Sequence, residues 1–347
     1  MTLIFLKINN TTLENLNGLE NLQTIQSLLL EYNDNLQNIQ ALGNIDSLSR
    51  IRVDHNPSLS SLVGLEGITN IPLELDIHEN LALESLNGLQ NVVNIGNYCD
   101  IYLNPQLENL NGLESLTEVG WSMTIGENAS LNTLEGLDNL SVIGRDFTLN
   151  INPQLTTLSN LQNLTSVGGY LMIQNQDSLI TLDGLENLIN INGFLNIGVN
   201  NALSNIEGIK NIDASTITQL QIFQNNVLSE CAVQSVCNFL NIDPNNATID
   251  TNASGCNTKQ EVEAACALGT DEKQLSEIKI YPNPSKGIFE ISNLKEGNID
   301  VIDSLGRIVK QFNVEETTYS ISELTAGIYF LKITSENSSV TQQLIKT

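Results

Sequence analysis

Leucine recurs along this chain at a fixed interval. Nine equivalent positions, Leu13, Leu36, Leu59, Leu83, Leu107, Leu131, Leu155, Leu179 and Leu203, are separated by 23, 23 and then six times 24 residues, and Leu228 follows 25 residues later. A fixed period in this range marks a solenoid, whose units bury their apolar residues only by stacking on one another. Within a unit the apolar residues fall on every third position, as at Leu107, Leu110, Leu113, Leu116 and Val119. That spacing matches neither the 3.6 of an α-helix nor the 2 of a strand, and it predicts a chain of turns or short 3₁₀ pieces. The period then shortens to two, at Met123 and Ile125, Phe147 and Leu149, Leu171 and Ile173, Leu195 and Ile197. One short strand per unit follows, stacked as a parallel ladder with rungs ~4.8 Å apart.

Three residues after the second strand position an Asn returns: Asn33, Asn56, Asn80, Asn104, Asn128, Asn152, Asn200 and Asn225, with Gln176 standing in once. A buried bend has backbone N–H and C=O groups that no strand partner satisfies, and a stacked amide side chain serves both. These amides therefore read as structure. Gly occupies the sixth position at Gly18, Gly64, Gly88, Gly112, Gly136, Gly184 and Gly208, with Ala41 and Asn160 as exceptions. A left-handed backbone, which Asn160 would also fit, is one explanation. Close approach of neighbouring coils is the other.

The pattern L-x-I-x-x-N-x-x-L-x-x-L-x-G-L-x-x-L-x-x-I resembles the bacterial leucine-rich repeat, in particular its receptor L-domain variety, over residues 3–228. The resemblance implies a strand and an Asn-bearing corner in each turn, and a solenoid that binds ligands or adheres, with no catalytic chemistry. The fold predicted for the whole chain is mainly β: a parallel-strand solenoid of about nine 23–25-residue coils over 1–228, a two-helix cap at 229–268, a linker at 269–277 and a seven-stranded β-sandwich at 278–347. LIFLKI near the start reads as the strand of a preceding, incomplete repeat, with Asn10 near its ladder position. MTLIFLKINN lacks the basic n-region and small-residue cleavage site of a secretory signal, so a signal and an N-terminal cap are expected upstream of Met1.

In the cap, SECAVQSVCNFL has Ser229 as a predicted N-cap and Ala232, Val233, Val236, Cys237 and Leu240 at helical spacing. A second helix is predicted from Thr258, where Thr258 and Glu261 form a capping-box pattern. Cys231, Cys237, Cys256 and Cys266 decorate these helices. With no CxxC pair and no nearby His they favour disulfides over zinc, and hence an oxidising compartment. Three connectivities are possible, and Cys231–Cys256 with Cys237–Cys266, which ties helix to helix, is the one favoured. Cys99 replaces a strand leucine and reads as a buried free thiol.

Beyond the linker, strand-like runs at 278–281, 287–291, 298–302, 307–312, 318–321, 327–333 and 340–345 are divided by SKG, SLG and SENSS turns. IKIYPNPSKGIFEI contains Tyr281, Pro282, Asn283, Pro284 and Gly287; LTAGIYFLKI contains Gly327, Tyr329 and Lys332; the chain closes on QQLIKT. These segments resemble the C-terminal sorting domain of type IX secretion substrates. The resemblance implies engagement by the type IX secretion machinery and delivery outside the cell or onto the outer-membrane surface.

Composition bounds the partners. The formal net charge is −26, and residues 1–230 alone carry 5 basic against 25 acidic side chains. Such a field repels nucleic-acid phosphates and anionic lipid, and no apolar run approaches the ~18–20 residues of a membrane span. The strand positions between and just after the buried leucines form columns predicted to face solvent. One runs Leu29, Arg52, Asp76, Asp100, Thr124; the next Glu31, Asp54, His78, Tyr102, Gly126; beside them lie Tyr32, His55, Glu79, Leu103 and Glu127. The early rungs are charged and aromatic while the later ones are amide-rich. The candidate ligand-binding residues are therefore Tyr32, Arg52, Asp54, His55, Asp76, His78, Asp100 and Tyr102, for an unidentified protein or glycan. Asp54, Asp76, His78 and Asp100 form a weak cation set, Ca²⁺ being the ion considered, and no other cofactor is expected. A purely structural surface protein is one alternative. A polysaccharide lyase using Arg52 beside clustered Asp is another, but no catalytic triad and no inserted loop supports it.

Overall fold

The computed structural model describes residues 2–276, 278–292, 297–314, 318–334 and 339–347, by their backbone alone at 2–3 and 269–276. The described residues form two compact units, Met1–Val262 and Glu263–Thr347.

The first unit is a parallel β-solenoid. Its main ladder has 11 strands in the order of the chain: β1 (Thr2–Asn9), β2 (Thr24–Glu31), β3 (Arg50–Asp54), β4 (Glu74–His78), β5 (Cys99–Tyr102), β6 (Met123–Gly126), β7 (Phe147–Asn150), β8 (Leu171–Gln174), β9 (Phe194–Gly198), β10 (Gln219–Phe223) and β11 (Ala247–Asp250). The predicted columns are the register partners: Arg52 opposes Asp76, Asp76 opposes Asp100, Asp54 opposes His78 and His78 opposes Tyr102. Inward from these strands lies an aliphatic core in which the repeat leucines, from Leu36 to Leu228, are fully buried. Leu13, in the terminal coil, is 46% exposed.

The period-three segments are mostly tight turns, and 3₁₀ geometry is confined to Gln40–Leu42, Ser159–Leu161, Glu207–Ile209 and Ala214–Thr216. The last apolar position of the period belongs instead to a second parallel ladder of two-residue strands, six of them from Asn70–Ile71 to Asn190–Ile191. The two explanations for the sixth-position Gly both hold. Gly88 has φ +120°, and a Cβ there would sit 2.0 Å from the Leu62 carbonyl oxygen of the preceding coil. Gly208 lies in a 3₁₀ turn and answers to close approach alone, its Cβ position being 2.0 Å from the Leu182 oxygen. Asn160 corrects the left-handed expectation: like Ala41 it sits inside a 3₁₀ turn.

Every coil turns its corner on one residue in the left-handed region. Asn10, Tyr32, His55, Glu79, Leu103, Glu127, Ile151, Asn175, Val199, Gln224 and Thr251 all have φ between 51° and 58°. Leu, Ile and Val rarely adopt this conformation, and it costs roughly 1–2 kcal/mol per residue. The Asn that follows holds it. The Asn104 N–H donates to Asn128 Oδ1 (3.0 Å), its Nδ2 donates to Ile77 O and Tyr102 O (each 3.0 Å), and its Oδ1 accepts from the Asn80 N–H (3.2 Å). Gln176 keeps the chain of bonds: Asn152 N–H donates to its Oε1 at 3.3 Å, and its Nε2 turns back to Gln174 O at 2.7 Å.

The ladder is longer than the leucine count. Thr11, not Asn10, takes the first ladder position, its N–H and Oγ1 both meeting Asn33 Oδ1. At the other end Asn252 continues it, accepting from the Asn225 N–H at 2.9 Å and donating to Ile222 O. The repeat geometry therefore runs through β11 instead of ending at Leu228.

α1 (Gln234–Ile242) begins after Val233, four residues beyond the predicted Ser229 cap. α2 (Lys259–Ser276) has Thr258 Oγ1 accepting from the Glu261 N–H at 3.3 Å. The Glu261 carboxylate does not close a capping box on Thr258 and accepts from Gly255 and Asn257 N–H. The polar stretch read as a linker has helical backbone as far as Ser276; Glu277 lies outside the described residues. Cys231 and Cys256 form a disulfide, Cys237 and Cys266 are disulfide-bonded as well, and Cys99 is a buried free thiol.

The second unit holds seven antiparallel strands in two sheets. β12 (Lys279–Tyr281), β13 (Ile288–Ser292) and β16 (Tyr319–Ser320) form one; β15 (Ile308–Asn313), β14 (Asn298–Ile302), β17 (Gly327–Thr334) and β18 (Ser339–Lys346) form the other. Both contribute to a single core around Phe289, Ile299, Tyr319, Leu331 and Leu344. Of the predicted SENSS turn, residues 335–338 lie outside the described residues.

Two stability changes follow from the corners. Asn104→Ala strips partners from buried backbone groups of two adjacent coils and should cost about 3 kcal/mol in chemical denaturation. Ile151→Asn puts a side chain tolerant of positive φ at a 42% exposed corner and should stabilise by about 1 kcal/mol in the same assay.

Candidate functional site

The charged early rungs converge into one network on β2 to β5. Arg52 Nε lies 3.0 Å from Asp54 Oδ2, 3.5 Å from Asp76 Oδ2 and 3.8 Å from Glu31 Oε1. Lys7 Nζ, from β1, meets Glu31 Oε2 at 2.6 Å, and Asn9 Nδ2 donates to the same oxygen. Two ring stacks flank the network, Tyr32 on His55 with centroids 4.2 Å apart and His78 on Tyr102 at 4.6 Å. His55 and His78 meet edge to face at 6.0 Å.

This packing corrects the expectation that the second column is open to water. Glu31, Asp54 and His78 are only 9%, 2% and 5% exposed. Their backbone positions face outward, but neighbouring side chains close over them: Lys7 and Asn9 on Glu31, Arg52, His55 and His78 around Asp54, and Asp76 and the Tyr102 ring on His78. Tyr32, 46% exposed, stays open, and Arg52, His55, Asp76, Asp100 and Tyr102 are half-buried. All eight predicted residues lie on four adjacent rungs. Glu31 and Glu79 complete the network and were not among them. Their positions in the same columns were the available signal.

Burial leaves its mark on the carboxylates. Lys7 is the main cause of the lowered Glu31 pKa, with burial opposing it. For Arg52, burial works against the charge, but Asp54, Asp76 and Glu31 more than offset it and the guanidinium pKa rises. Among the described residues no Lys or Arg pairs with Asp100. Burial pushes its carboxyl up, the Thr124 hydrogen bond pulls it back, Asp76 and Glu74 push it further up, and His78 pulls it down only weakly. Tyr102 is raised first by burial and then by Asp76 and Asp100.

The cation set read from the columns also changes. Among the described residues, Asp54, His55 and His78 form the group whose donor atoms lie within 4.8 Å of one another. Asp76 stands behind His78, its Oδ1 2.7 Å from Nδ1, and Asp100 is outside the group.

In the C-terminal unit the sorting-motif residues are built into the fold. Asn283 Nδ2 donates to Gln343 O (2.7 Å) and its Oδ1 accepts from the Ile345 N–H (2.9 Å), which clips the Pro282–Pro284 turn to β18. Gly287 has φ +105° and packs against Ser322 and Lys346. Gly327 opposes Lys346, Lys332 opposes Asp300, and the Tyr329 hydroxyl donates to Thr325 O. Tyr281 is half exposed. Residues 279–347 match the family of secretion system C-terminal sorting domains. The tail is a sorting domain, and the solenoid is its cargo. Type IX export makes this an extracellular or surface-associated protein. Among curated proteins none matches the chain. Among the described residues no helix is long and apolar enough to cross a membrane.

The Asp100 shift has a definite sign. A carboxyl raised by folding contributes its stability while protonated, below the ordinary carboxylate range, and loses it as pH rises through the raised value. Asp100→Asn should therefore raise the thermal midpoint at pH 7, and the gain over wild type should vanish below the ordinary carboxylate range.

Proposed function

We propose that the protein is a non-enzymatic binding or adhesion module of the receptor L-domain, leucine-rich-repeat kind, displayed or released at the outer-membrane surface. The strand face of β2 to β5 recognises its protein or glycan ligand. The observation that carries this reading is the concentration of stacked rings and charges at one end of an otherwise amide-rich ladder. Tyr32 stacked on His55, and Tyr102 stacked on His78 near Asp76, Asp100 and Arg52, combine rings with charge in a way suited to sugar hydroxyls or to a mixed polar and aromatic protein epitope. The geometry disfavours the lyase alternative, because Arg52 is held by three carboxylates. Export places such a face where surface partners are met, and a solenoid presents it as an extended surface.

The test is to screen the full chain against glycan and protein arrays. Tyr32→Asn, which respects the left-handed corner, and Tyr102→Ala should each weaken the leading interaction by about tenfold or more, with an unchanged far-UV CD spectrum. A saturable partner unaffected by both changes would move the site elsewhere. The absence of any partner would favour a purely structural role.

A further inference from the structure

Asp54, His55 and His78 face one another at the centre of the early rungs. His78 Nδ1 lies 2.7 Å from Asp76 Oδ1, and His55 Nε2 lies 2.6 Å from Glu79 Oε2. A ring N–H donated to each of those carboxylates fixes the tautomer and leaves the opposite nitrogen as a bare lone pair. Those bare nitrogens are His78 Nε2, 3.5 Å from Asp54 Oδ2, and His55 Nδ1, 3.7 Å from Asp54 Oδ1. Asp54 is 2% exposed, and neither its Oδ1 nor His55 Nδ1 has a hydrogen-bond partner although both atoms are shut off from solvent. Lone pairs left unpaired and crowded together are costly without a cation among them.

We propose that Asp54, His55 and His78 form a divalent transition-metal site, with Zn²⁺ the fitting ion. Two imidazoles and one carboxylate are the donor types zinc takes, whereas Ca²⁺ requires 6–8 oxygens. Zinc bonds of ~2.0 Å in a tetrahedron give donor separations of about 3.3 Å; the donor atoms here all lie within 4.8 Å of one another, with the two imidazoles on the two different oxygens of Asp54, so binding draws the side chains together around the ion. Asp76 and Glu79 act as positioning residues, each orienting one ligand through its other ring nitrogen, as outer-shell carboxylates do at metal sites. Arg52 holds the second Asp54 oxygen and offsets part of the local charge, but Glu31, Asp76, Glu79 and Asp100 leave an anionic surround that favours a dication. The fourth coordination position is left for water or a donor group brought by a partner. The backbone accounts for the convergence. Asp54 and His78 are cross-strand partners, and the left-handed corner at φ +51° turns His55 back toward Asp54. This site stands whether or not the face binds a macromolecular ligand.

The test uses the full chain, stripped with chelator and titrated with Zn²⁺ and, separately, Ca²⁺ by calorimetry, with Co²⁺ as a spectroscopic probe. One Zn²⁺ per chain is expected, no Ca²⁺ binding at this site, and a visible Co²⁺ spectrum of low coordination number. His55→Asn tolerates the corner and His78→Phe keeps the stack on Tyr102; both should abolish Zn²⁺ binding and the Co²⁺ spectrum while the metal-free melting temperature stays near wild type. Asp76→Asn should lower Zn²⁺ affinity about tenfold or more and shift the Co²⁺ bands, a change that a packing role would not produce. Failure to bind Zn²⁺, or binding that survives both His changes, overturns the site. If a variant does not fold, the wild-type Co²⁺ spectrum decides: a six-coordinate aquo-like spectrum would reject the proposed ligands.

Discussion

The amide ladder is the interaction on which the rest of this molecule depends. A β-solenoid has a steric difficulty at every corner, because the chain must leave the strand without abandoning its backbone hydrogen bonds to solvent-free space. Here a single left-handed residue makes the bend, and the buried Asn after it bonds to the coil before and the coil after. The strain of the bend and the satisfaction of the buried groups are thereby coupled, coil upon coil, from Thr11 to Asn252.

That coupling explains the placement of the candidate site. With corners fixed, adjacent strands stack in strict register and their outward residues form straight columns. Charges that fall on consecutive rungs are then forced into contact at the ladder spacing. Arg52 among Glu31, Asp54 and Asp76 is one result, and the unpaired acceptors of Asp54 and His55 are another. Asp100, one rung further on, has no Lys or Arg partner among the described residues, and its pKa is raised.

Much of this was legible in the residues because period and register are properties of spacing. The leucines located the strands, the Asn series located the corners, and the columns followed. What spacing could not reveal was which outward side chains would close over one another. Asp54 and His78 occupy positions that alternation assigns to solvent, yet both are buried, because Arg52, His55, Asp76 and Tyr102 pack around them. His55 accordingly joins the cation group, and Asp76 and Asp100 leave it. The ladder's extension to Asn252 was also missed. ATIDTN carries the Ile-x-x-Asn signature at 249–252, but without the flanking leucines that defined the repeat. Ser229 failed as a helix cap for a related reason: local capping chemistry was available, but the chain first had to complete its last coil.

The corner residue has a consequence for how such a surface can change. Its backbone is imposed by the Asn beside it, so the position accepts Tyr, His, Glu, Leu, Ile, Asn, Val or Gln at nearly the same φ. Shape and chemistry are thereby separated. The scaffold keeps its geometry whatever the corner side chain, and each coil presents one substitutable side chain at a fixed height above its neighbour. A new specificity could be written along that column by replacing one residue at a time, with no loop to rebuild.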